Sequence, residues 1–273
     1  MTRPATPRLI RQQLHYQNLI FWRTPIAAFF TLVFPLLLLL VFSAIFGNEE
    51  IEYLGVTVAQ YYAPALAVFA AASASYTNIA VGTAYQRDQG ILKRVRGTPL
   101  PPWMYMTGKV LSAMYIAAIA VIIMMTAGAL FFGVHIYLRT LPAAILTFLV
   151  GVASFAALGL VVAAVSPSGE AATAIANATL LPLAFFSGVF IVAENMPTWI
   201  DVVGNIFPLK HFNDAFQAAF DPQNTGMQFH WDDLAVMALW GIGGVVLAIR
   251  LFKWEKRPSG SERRGRRKEP AAA

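Results

Sequence analysis

Six long apolar stretches, separated by short polar connections, constrain the fold of this chain more than any other feature. Each is long enough to cross a bilayer as a helix, which needs roughly 20 mostly apolar residues. Hydrophobic residues make up 58% of the sequence and charged residues only 12%, which is too little charge for an ordinary soluble domain. The sequence therefore predicts an all-α integral membrane protein. We expect its spans at about residues 26–46, 60–84, 110–134, 141–165, 171–193 and 234–252.

The charges outside the spans assign a side to every connection. If the six spans cross alternately, all of the 20 Lys and Arg residues except Arg139 and Lys210 fall on one side. Acidic residues such as Glu49, Asp201 and Asp233 fall on the other. Cytoplasmic loops carry the excess of Lys and Arg, so we expect both termini in the cytoplasm. The absence of cysteine fits a bacterial inner membrane, where we expect this multi-pass chain.

A strongly basic segment follows the sixth predicted span. We expect residues 1–255 to form a single transmembrane domain and residues 256–273 to form a disordered cytoplasmic tail. The tail contains the run RRGRRK, and such a run orients the chain and faces anionic lipid headgroups. Nucleic-acid binding is the minor alternative, and we expect no nucleic-acid partner.

An amphipathic segment, PRLIRQQLHYQNLIFWR, precedes the first span at residues 7–23. On a helix, Arg8, Arg11 and His15 share one side, and Trp22 lies near the end. A basic amphipathic helix that ends in aromatic residues is typical of the membrane interface. The sequence therefore predicts an interfacial helix that contacts membrane lipids; the alternative is an ordinary N-terminus that only orients the chain.

Positive charge is concentrated in the connection between the second and third predicted spans. Its cations are Arg87, Lys93, Arg94 and Arg96. We predict one helix over residues 84–96, weakened by Gly90, and the following GTPLPP ends it because proline cannot continue a helix. A short basic helix with a stiff exit has the shape of a lever that another protein pushes. The alternative is a loop that only orients the chain.

The segment from Glu194 to Asp233 carries too many large apolar residues for a solvated loop. Phe212, Phe216 and Phe220 recur every four residues, which places them on one stripe of a helix. Pro197 and Pro208 divide the segment into two short helical pieces. We expect a re-entrant or interfacial helix pair on the external face; the alternative is a packed external cap without a gating role.

Neutral polar residues lie inside two of the predicted spans. Most of them are expected to join helices to each other, and the minor alternative is that Asn78 and Asn177 face a translocation path. No Asp, Glu, Lys, Arg or His falls at the middle of a predicted span, whereas ion-driven carriers usually need such a group. The polar residues are Ser73, Ser75, Thr77, Asn78, Thr173, Asn177 and Thr179.

Motifs of chemical catalysis are absent from the sequence. There is no G-x-x-x-x-G-K-[ST] phosphate loop, H-E-x-x-H pair or nucleophile elbow. The four histidines, His15, His135, His211 and His230, are far apart. We therefore expect a transport-type body that is not an enzyme and holds no metal, and whose energy source is another protein.

Two stretches carry a resemblance to a known family. They are DQGILKRVRGTPLPPWMYMTGK after the second span and FFSGVFIVAENMPTWIDVVGNIFPLKHF after the fifth. With the six spans and internal termini, they resemble the type-2 ABC exporter permeases of the drug-resistance and polyketide-export branch, over about residues 10–255. The family pattern usually has a glutamate-rich start to the first stretch and Gly-Thr at its turn. Here Asp88 is the remaining acid and Gly90-Ile91 replaces Gly-Thr.

The resemblance implies an all-helical permease that pairs with a second permease chain, identical or different, and with ABC nucleotide-binding ATPase subunits. It implies no cofactor on this chain, with ATP and Mg on the ATPase partner. Residues 7–23 would be the interfacial helix, 85–100 the coupling helix and 195–220 the external re-entrant helices. The residues implied in coupling are Arg87, Asp88, Gly90, Lys93, Arg94, Arg96, Thr98 and Pro99. The residues implied in the external helices are Trp199, Pro208, Phe212 and Phe216.

The function implied is ATP-driven export of an amphipathic drug, lipid or glycan-type substrate from the cytoplasm or the inner leaflet. A secondary carrier or channel, and a non-transporting membrane assembly protein, are the alternatives. Pairs of small residues, Gly151 with Gly159 or Gly241 with Gly244, allow close helix approach at a dimer contact.

Overall fold

The chain folds as a bundle of long apolar helices. The computed structural model describes residues 6–46, 49–52, 54–98, 100–191, 197–224, 226–227 and 229–252. Within these residues, six helices are long and apolar enough to cross a membrane. Spans 1 to 6 are Pro25–Phe46, Val58–Asp88, Trp103–Phe132, Leu141–Val165, Gly169–Phe186 and Trp231–Leu251. The predicted all-α membrane fold with six spans is confirmed.

Shorter elements fill the connections. The N-terminal helix is Thr6–Trp22, and the loop helix between spans 2 and 3 is Ile91–Arg96. Between spans 5 and 6 lies a helix pair, Thr198–Ile206 and Pro208–Ala218, as the two prolines predicted. A two-stranded hairpin, Glu50–Ile51 with Val56–Thr57, was not predicted. We call the end of the bundle that carries the loop helix the basic end, and the other the opposite end.

Several predicted span boundaries are wrong at polar helix ends. Span 2 continues to Asp88 rather than residue 84, and span 3 begins at Trp103 rather than residue 110, because a helix continues past the first charge whereas a run of apolar residues does not. Span 5 ends at Phe186, where Gly188 adopts a left-handed φ of 71°, a conformation that favours glycine. Residues 192–196 and the predicted tail 256–273 lie outside the described residues.

Span 2 is the most buried of the six spans, and it contains one turn of π-helix at Ser73–Thr77. A π-turn frees backbone carbonyls from the regular pattern. The Ser75 hydroxyl lies 2.8 Å from the carbonyl oxygen of Ala71, to which it donates. Span 4 approaches the same turn closely, since a Cβ on Gly159 would lie 2.6 Å from the Tyr76 carbonyl oxygen. Span 2 is therefore the central helix, with an irregular turn near its middle.

The glycines proposed for a dimer contact pack within the chain. A Cβ on Gly241 would lie 3.2 Å from Ser154 Cα, and one on Gly244 would lie 3.1 Å from Ala157 Cβ. These glycines bring span 6 against span 4. Gly151 lies under the ring of Phe212, and Gly159 meets span 2. These small residues thus allow close packing within one chain, and a dimer contact through them stays a prediction.

Candidate functional site

The connection between spans 2 and 3 reverses direction at Gly90. Span 2 continues through Asp88, and Gly90 adopts a left-handed φ of 70°. The loop helix then begins at Ile91, so the prediction of one helix over residues 84–96 is wrong. Glycine adopts this conformation without the steric cost that a Cβ brings. As a result, the loop helix is separated from span 2 by Gln89 and Gly90.

The loop helix carries its cations outward. Leu92 is fully buried and anchors the helix against the bundle. Lys93, Arg94 and Arg96 are exposed, and exposed Thr98 donates its hydroxyl to the Val95 carbonyl 2.7 Å away. Pro99 lies outside the described residues. The basic end therefore presents three positive side chains on a short anchored helix.

Arg87 and Asp88, which were grouped with these cations, point into the bundle: Arg87 is buried and Asp88 is half-buried. Buried Arg87 donates from Nη1 to the Ala163 carbonyl at 2.7 Å and from Nη2 to the Ser166 carbonyl at 2.5 Å. Asp88 Oδ2 accepts a hydrogen bond from the Gly169 amide at 2.7 Å. We call the side chains of Arg87 and Asp88 with these three partners the clamp. It holds the turn between spans 4 and 5.

The charges of the clamp match the helix ends that they contact. Arg87 binds carbonyls at the C-terminal end of span 4, where the helix dipole is negative, and Asp88 binds an amide at the N-terminal end of span 5, where it is positive. Packing adds a third contact, because a Cβ on Gly169 would lie 2.6 Å from Cγ of Tyr85. Tyr85 and Asp88 thus contact the start of span 5, and Arg87 contacts the end of span 4 and the turn that leads into span 5.

Lys109 is a buried cation in span 3, just before residue 110 where the sequence predicted this span to begin. Lys109 is only 5% exposed. Its Nζ donates to the Thr83 hydroxyl at 2.8 Å. Nζ also lies 5.6 Å from the centre of the Tyr105 ring, and the Tyr105 hydroxyl donates to Gln86. These contacts join the basic ends of spans 2 and 3.

The N-terminal helix packs against span 3 near this polar cluster. A Cβ on Gly108 would lie 2.6 Å from Gln13 Cβ, and Ser112 donates its hydroxyl to Asn18. On the outward side an open groove of about 510 Å³ is lined by Arg8, Arg11, Gln12 and His15. The predicted common side of the basic residues is confirmed, and Trp22 is exposed near the helix end. The contact with lipid stays a prediction.

The helix pair at the opposite end enters the bundle. Pro208, Phe212 and Phe216 are buried, whereas Trp199 on the first helix is 60% exposed. Phe212 lies over Gly151 near the middle of span 4, where a Cβ would approach its ring to 2.7 Å. The second helix of the pair is therefore part of the core, and its position relative to the membrane surface stays a prediction.

A series of aromatic rings links this helix to the π-turn of span 2. Phe216 and Phe212 have ring centres 6.2 Å apart, as do Phe212 and Phe155. Phe155 in turn packs edge-on against Tyr76, also at 6.2 Å. Tyr76 is joined to Thr179 of span 5 by a hydrogen bond of 2.7 Å. Spans 2, 4 and 5 and the helix pair thus meet around one aromatic column.

Charged residues tie the helix pair together and to span 6. His211 Nδ1 lies 2.7 Å from Asp233 Oδ1, and Lys210 lies 3.0 Å from Asp214 and 3.4 Å from Asp201. Burial raises the pKa of Asp214, although Lys210 opposes that shift. Burial lowers the pKa of Lys210, but its two carboxylate neighbours outweigh this and leave the pKa raised. Among the described residues, no group of three or more His, Cys, Asp or Glu can hold a metal ion.

The two asparagines proposed for a translocation path lie on adjoining spans. Asn78 is half-buried on span 2, and Asn177 is exposed on span 5. Span 5 has the lowest mean hydropathy of the six, yet little of it is buried within the chain. Polar residues in spans normally face protein or water. The exposed face of span 5 is therefore a surface that lipid alone would cover poorly.

Comparison with known proteins gives the family. Residues 8–220 match the family described as ABC-2 type transporter. The chain is 23% identical over 154 residues to "Probable multidrug ABC transporter permease YbhR" of Escherichia coli strain K12. The aligned region covers 56% of this chain and 41% of that protein. It is 24% identical over 152 residues to "Putative transport permease YvfS" of Bacillus subtilis strain 168, covering 56% of this chain and 62% of that protein.

Each of these alignments spans less than two thirds of the relative. The family match is longer, since it runs from the N-terminal helix through the first five spans to Phe220 at the end of the helix pair. It therefore includes the loop helix, the clamp and the aromatic column. The chain belongs to the ABC-2 type transporter family.

Proposed function

We propose that this chain is the permease subunit of an ATP-driven ABC exporter. The loop helix is the observation that carries the proposal, because its three exposed cations are held on a helix anchored by buried Leu92. An acidic surface on an ATPase subunit complements such a helix. The sequence has no phosphate-binding loop, so ATP and Mg would bind to that partner. The basic end would then face the cytoplasm of a bacterial cell.

The loop helix is connected to the spans stiffly enough to act as a lever. Gln89 and Gly90 separate it from span 2, and the Lys109–Thr83 hydrogen bond joins spans 2 and 3 close by. Closure of the ATPase subunits on ATP would push the loop helix, and the two spans would follow. A flexible connection would absorb that displacement.

A second permease chain would cover the exposed face of span 5. Asn177 on that face needs a polar or aqueous environment, which a cavity between two chains supplies. Asn78 on the adjoining span 2 is half-buried and would border the same cavity. A neutral cavity of this kind suits an amphipathic drug, lipid or glycan-type substrate. The word "multidrug" in the name of YbhR is consistent with the first of these.

The experiment is copurification of the chain with a coexpressed ABC ATPase, followed by ATPase and transport assays in liposomes. Arg94→Gln with Arg96→Gln removes two exposed cations of the loop helix, and we expect roughly tenfold weaker association. The matched control, Arg266→Gln with Arg267→Gln, removes the same charge from the basic tail and should associate normally. Membrane insertion is verified for both variants.

Two results would contradict the proposal. If the loop-helix variant binds the ATPase as tightly as the wild type, the loop helix is not the docking element. If transport follows an ion gradient and needs no ATPase, the chain is a secondary carrier.

A further inference from the structure

We infer that Arg87 and Asp88 are positioning residues that make span 5 move with the loop helix. The inference rests on the proposed function, in which an ATPase displaces that helix. It differs from a docking role, because Arg87 binds carbonyls of Ala163 in span 4 and Ser166 in the following turn, and Asp88 binds the first amide of span 5. The clamp then transmits the displacement of the loop helix to span 5 within the permease.

The turn that the clamp holds presents no basic residue of its own to a partner. It consists of Ser166, Pro167 and Ser168 between the two spans, and the Ser166 hydroxyl donates to the Val162 carbonyl at 2.6 Å. The loop helix, by contrast, presents exposed Lys93, Arg94 and Arg96. A partner that binds the loop helix therefore reaches the start of span 5 through Asp88 and Arg87.

The distance from the loop helix to the clamp is short along the chain. Asp88 is followed by Gln89 and Gly90, and the loop helix begins at Ile91. The Gly90 amide donates to the Arg87 carbonyl at 3.0 Å, and the Arg94 amide donates to the Gly90 carbonyl at 3.2 Å. The reversal is thus hydrogen-bonded on both sides, and a displacement of the loop helix arrives at the clamp with little slack.

Span 5 is joined to span 2 at a second height. Tyr76 and Thr179 share a hydrogen bond of 2.7 Å, and Thr179 lies ten residues along span 5 from Gly169, or about 15 Å at the helical rise. Two contacts that far apart prevent span 5 from pivoting freely on span 2. The exposed polar face of span 5, with Asn177, therefore follows span 2 as a rigid unit.

Removal of the Asp88 carboxylate tests the clamp. Asp88→Ala deletes the acceptor for the Gly169 amide, whereas Asp88→Asn keeps an oxygen acceptor. In the complex with the ATPase, we expect Asp88→Ala to lower substrate stimulation of ATP hydrolysis by about fivefold, the effect on an equilibrium of losing one helix-capping hydrogen bond. Asp88→Asn should retain most of the stimulation. Basal hydrolysis and copurification should stay within about twofold of wild type in both, because neither touches the exposed cations.

A disulfide distinguishes transmission from a merely structural role. The chain has no cysteine, so Tyr85→Cys with Gly169→Cys introduces a single pair at a place where the residues are in contact. In the Asp88→Ala background, oxidation should lock span 5 to span 2 and restore the stimulation, and reduction should abolish it again. Tyr85→Cys alone in the same background is the control and should respond to neither treatment.

Three results would overturn the inference. The first is full stimulation in Asp88→Ala. The second is a disulfide that forms without restoring stimulation, and the third is an equal rate of Gly169 amide exchange in Asp88→Ala and Asp88→Asn. Amide hydrogen exchange at Gly169 in the permease alone should be faster in Asp88→Ala than in Asp88→Asn. That measurement needs no ATPase, so it tests the clamp by itself. Failure of the proposed function would appear separately, as a wild-type chain that binds no ATPase.

Discussion

At the scale of single residues, a few buried polar side chains hold the connections between the spans. Gln60, at the start of span 2, donates from Nε2 to the His135 carbonyl at 3.1 Å and to the Phe220 carbonyl at 2.7 Å. Its Oε1 accepts from the His135 amide at 2.8 Å. One side chain thus satisfies three backbone groups from two connections at the opposite end of the bundle.

Replacement of this glutamine should destabilise the protein measurably. Gln60→Leu leaves the three backbone groups without their partner, and an unsatisfied buried polar group costs about 1–3 kcal/mol. We expect a loss of about 2–3 kcal/mol in unfolding free energy, measured by denaturant titration in detergent micelles. Gln217→Leu is the matched control, because the described structure gives the Gln217 side chain no hydrogen bond. Equal stability of the two variants would show that Gln60 is not a structural link.

Residues at span ends could not be placed from the sequence. Arg87, Asp88 and Lys109 fall outside the predicted spans 60–84 and 110–134, because the apolar runs end before Arg87 and begin only after Lys109. In the structure all three lie within spans and make internal hydrogen bonds. The partners of Arg87 and Asp88 are backbone groups about 80 positions away, which no local pattern reveals. By contrast, Lys93, Arg94 and Arg96 lie on a short helix whose charge the sequence does show, and their side chains are exposed.

At the scale of elements, the helix pair shows how a segment outside the spans becomes part of the core. The sequence predicted both helices and the stripe of Phe212, Phe216 and Phe220 from prolines and spacing. It did not predict what this stripe packs against. The space that the Phe212 ring occupies is left by Gly151, which lies on a different helix. A glycine in an apolar run carries no information about which ring lies over it.

A methyl group at position 151 should displace the helix pair. The Cβ of Gly151→Ala would lie 2.7 Å from the Phe212 ring, and overpacking of this kind costs about 1–3 kcal/mol. We expect lower thermal stability for Gly151→Ala and partial recovery in the double variant with Phe212→Leu. Gly243→Ala is the control, since nothing lies within 4 Å of its Cβ position, and it should match the wild type. Absence of recovery in the double variant would contradict the proposed contact.

At the scale of the whole molecule, the charge distribution predicts how the bundle is oriented in the membrane. Exposed Gln89 lies at the basic end, and exposed Glu50 lies in the hairpin at the opposite end. In intact cells an impermeant thiol reagent should label Glu50→Cys and leave Gln89→Cys unlabelled, because cations stay on the cytoplasmic side. Both should be labelled after lysis. Labelling of Gln89→Cys in intact cells would reverse the orientation.

The exposed surface of span 5 is too polar to face lipid alone. Span 5 combines the lowest mean hydropathy of the six spans with little burial in the chain, and its exposed Asn177 would be costly in hydrocarbon. The low hydropathy of span 5 and the position of Asn177 are visible in the sequence, but the exposed face is defined only when the packing of spans 2 and 4 against span 5 is known. If a second permease chain covers this face, then Asn177 residues of two chains approach each other.

Cysteine cross-linking in native membranes tests this arrangement. Asn177→Cys should form a covalent dimer with a short bifunctional thiol reagent, since the chain has no other cysteine. Ile122→Cys on span 3 is the control: Ile122 is 63% exposed and apolar, as expected of a lipid-facing residue, and it should stay monomeric. Equal yields from the two positions would mean that the contacts are random collisions in the bilayer. A dimer from Ile122→Cys alone would place the second chain against span 3 and leave the polar face of span 5 to be explained by an aqueous cavity within one chain.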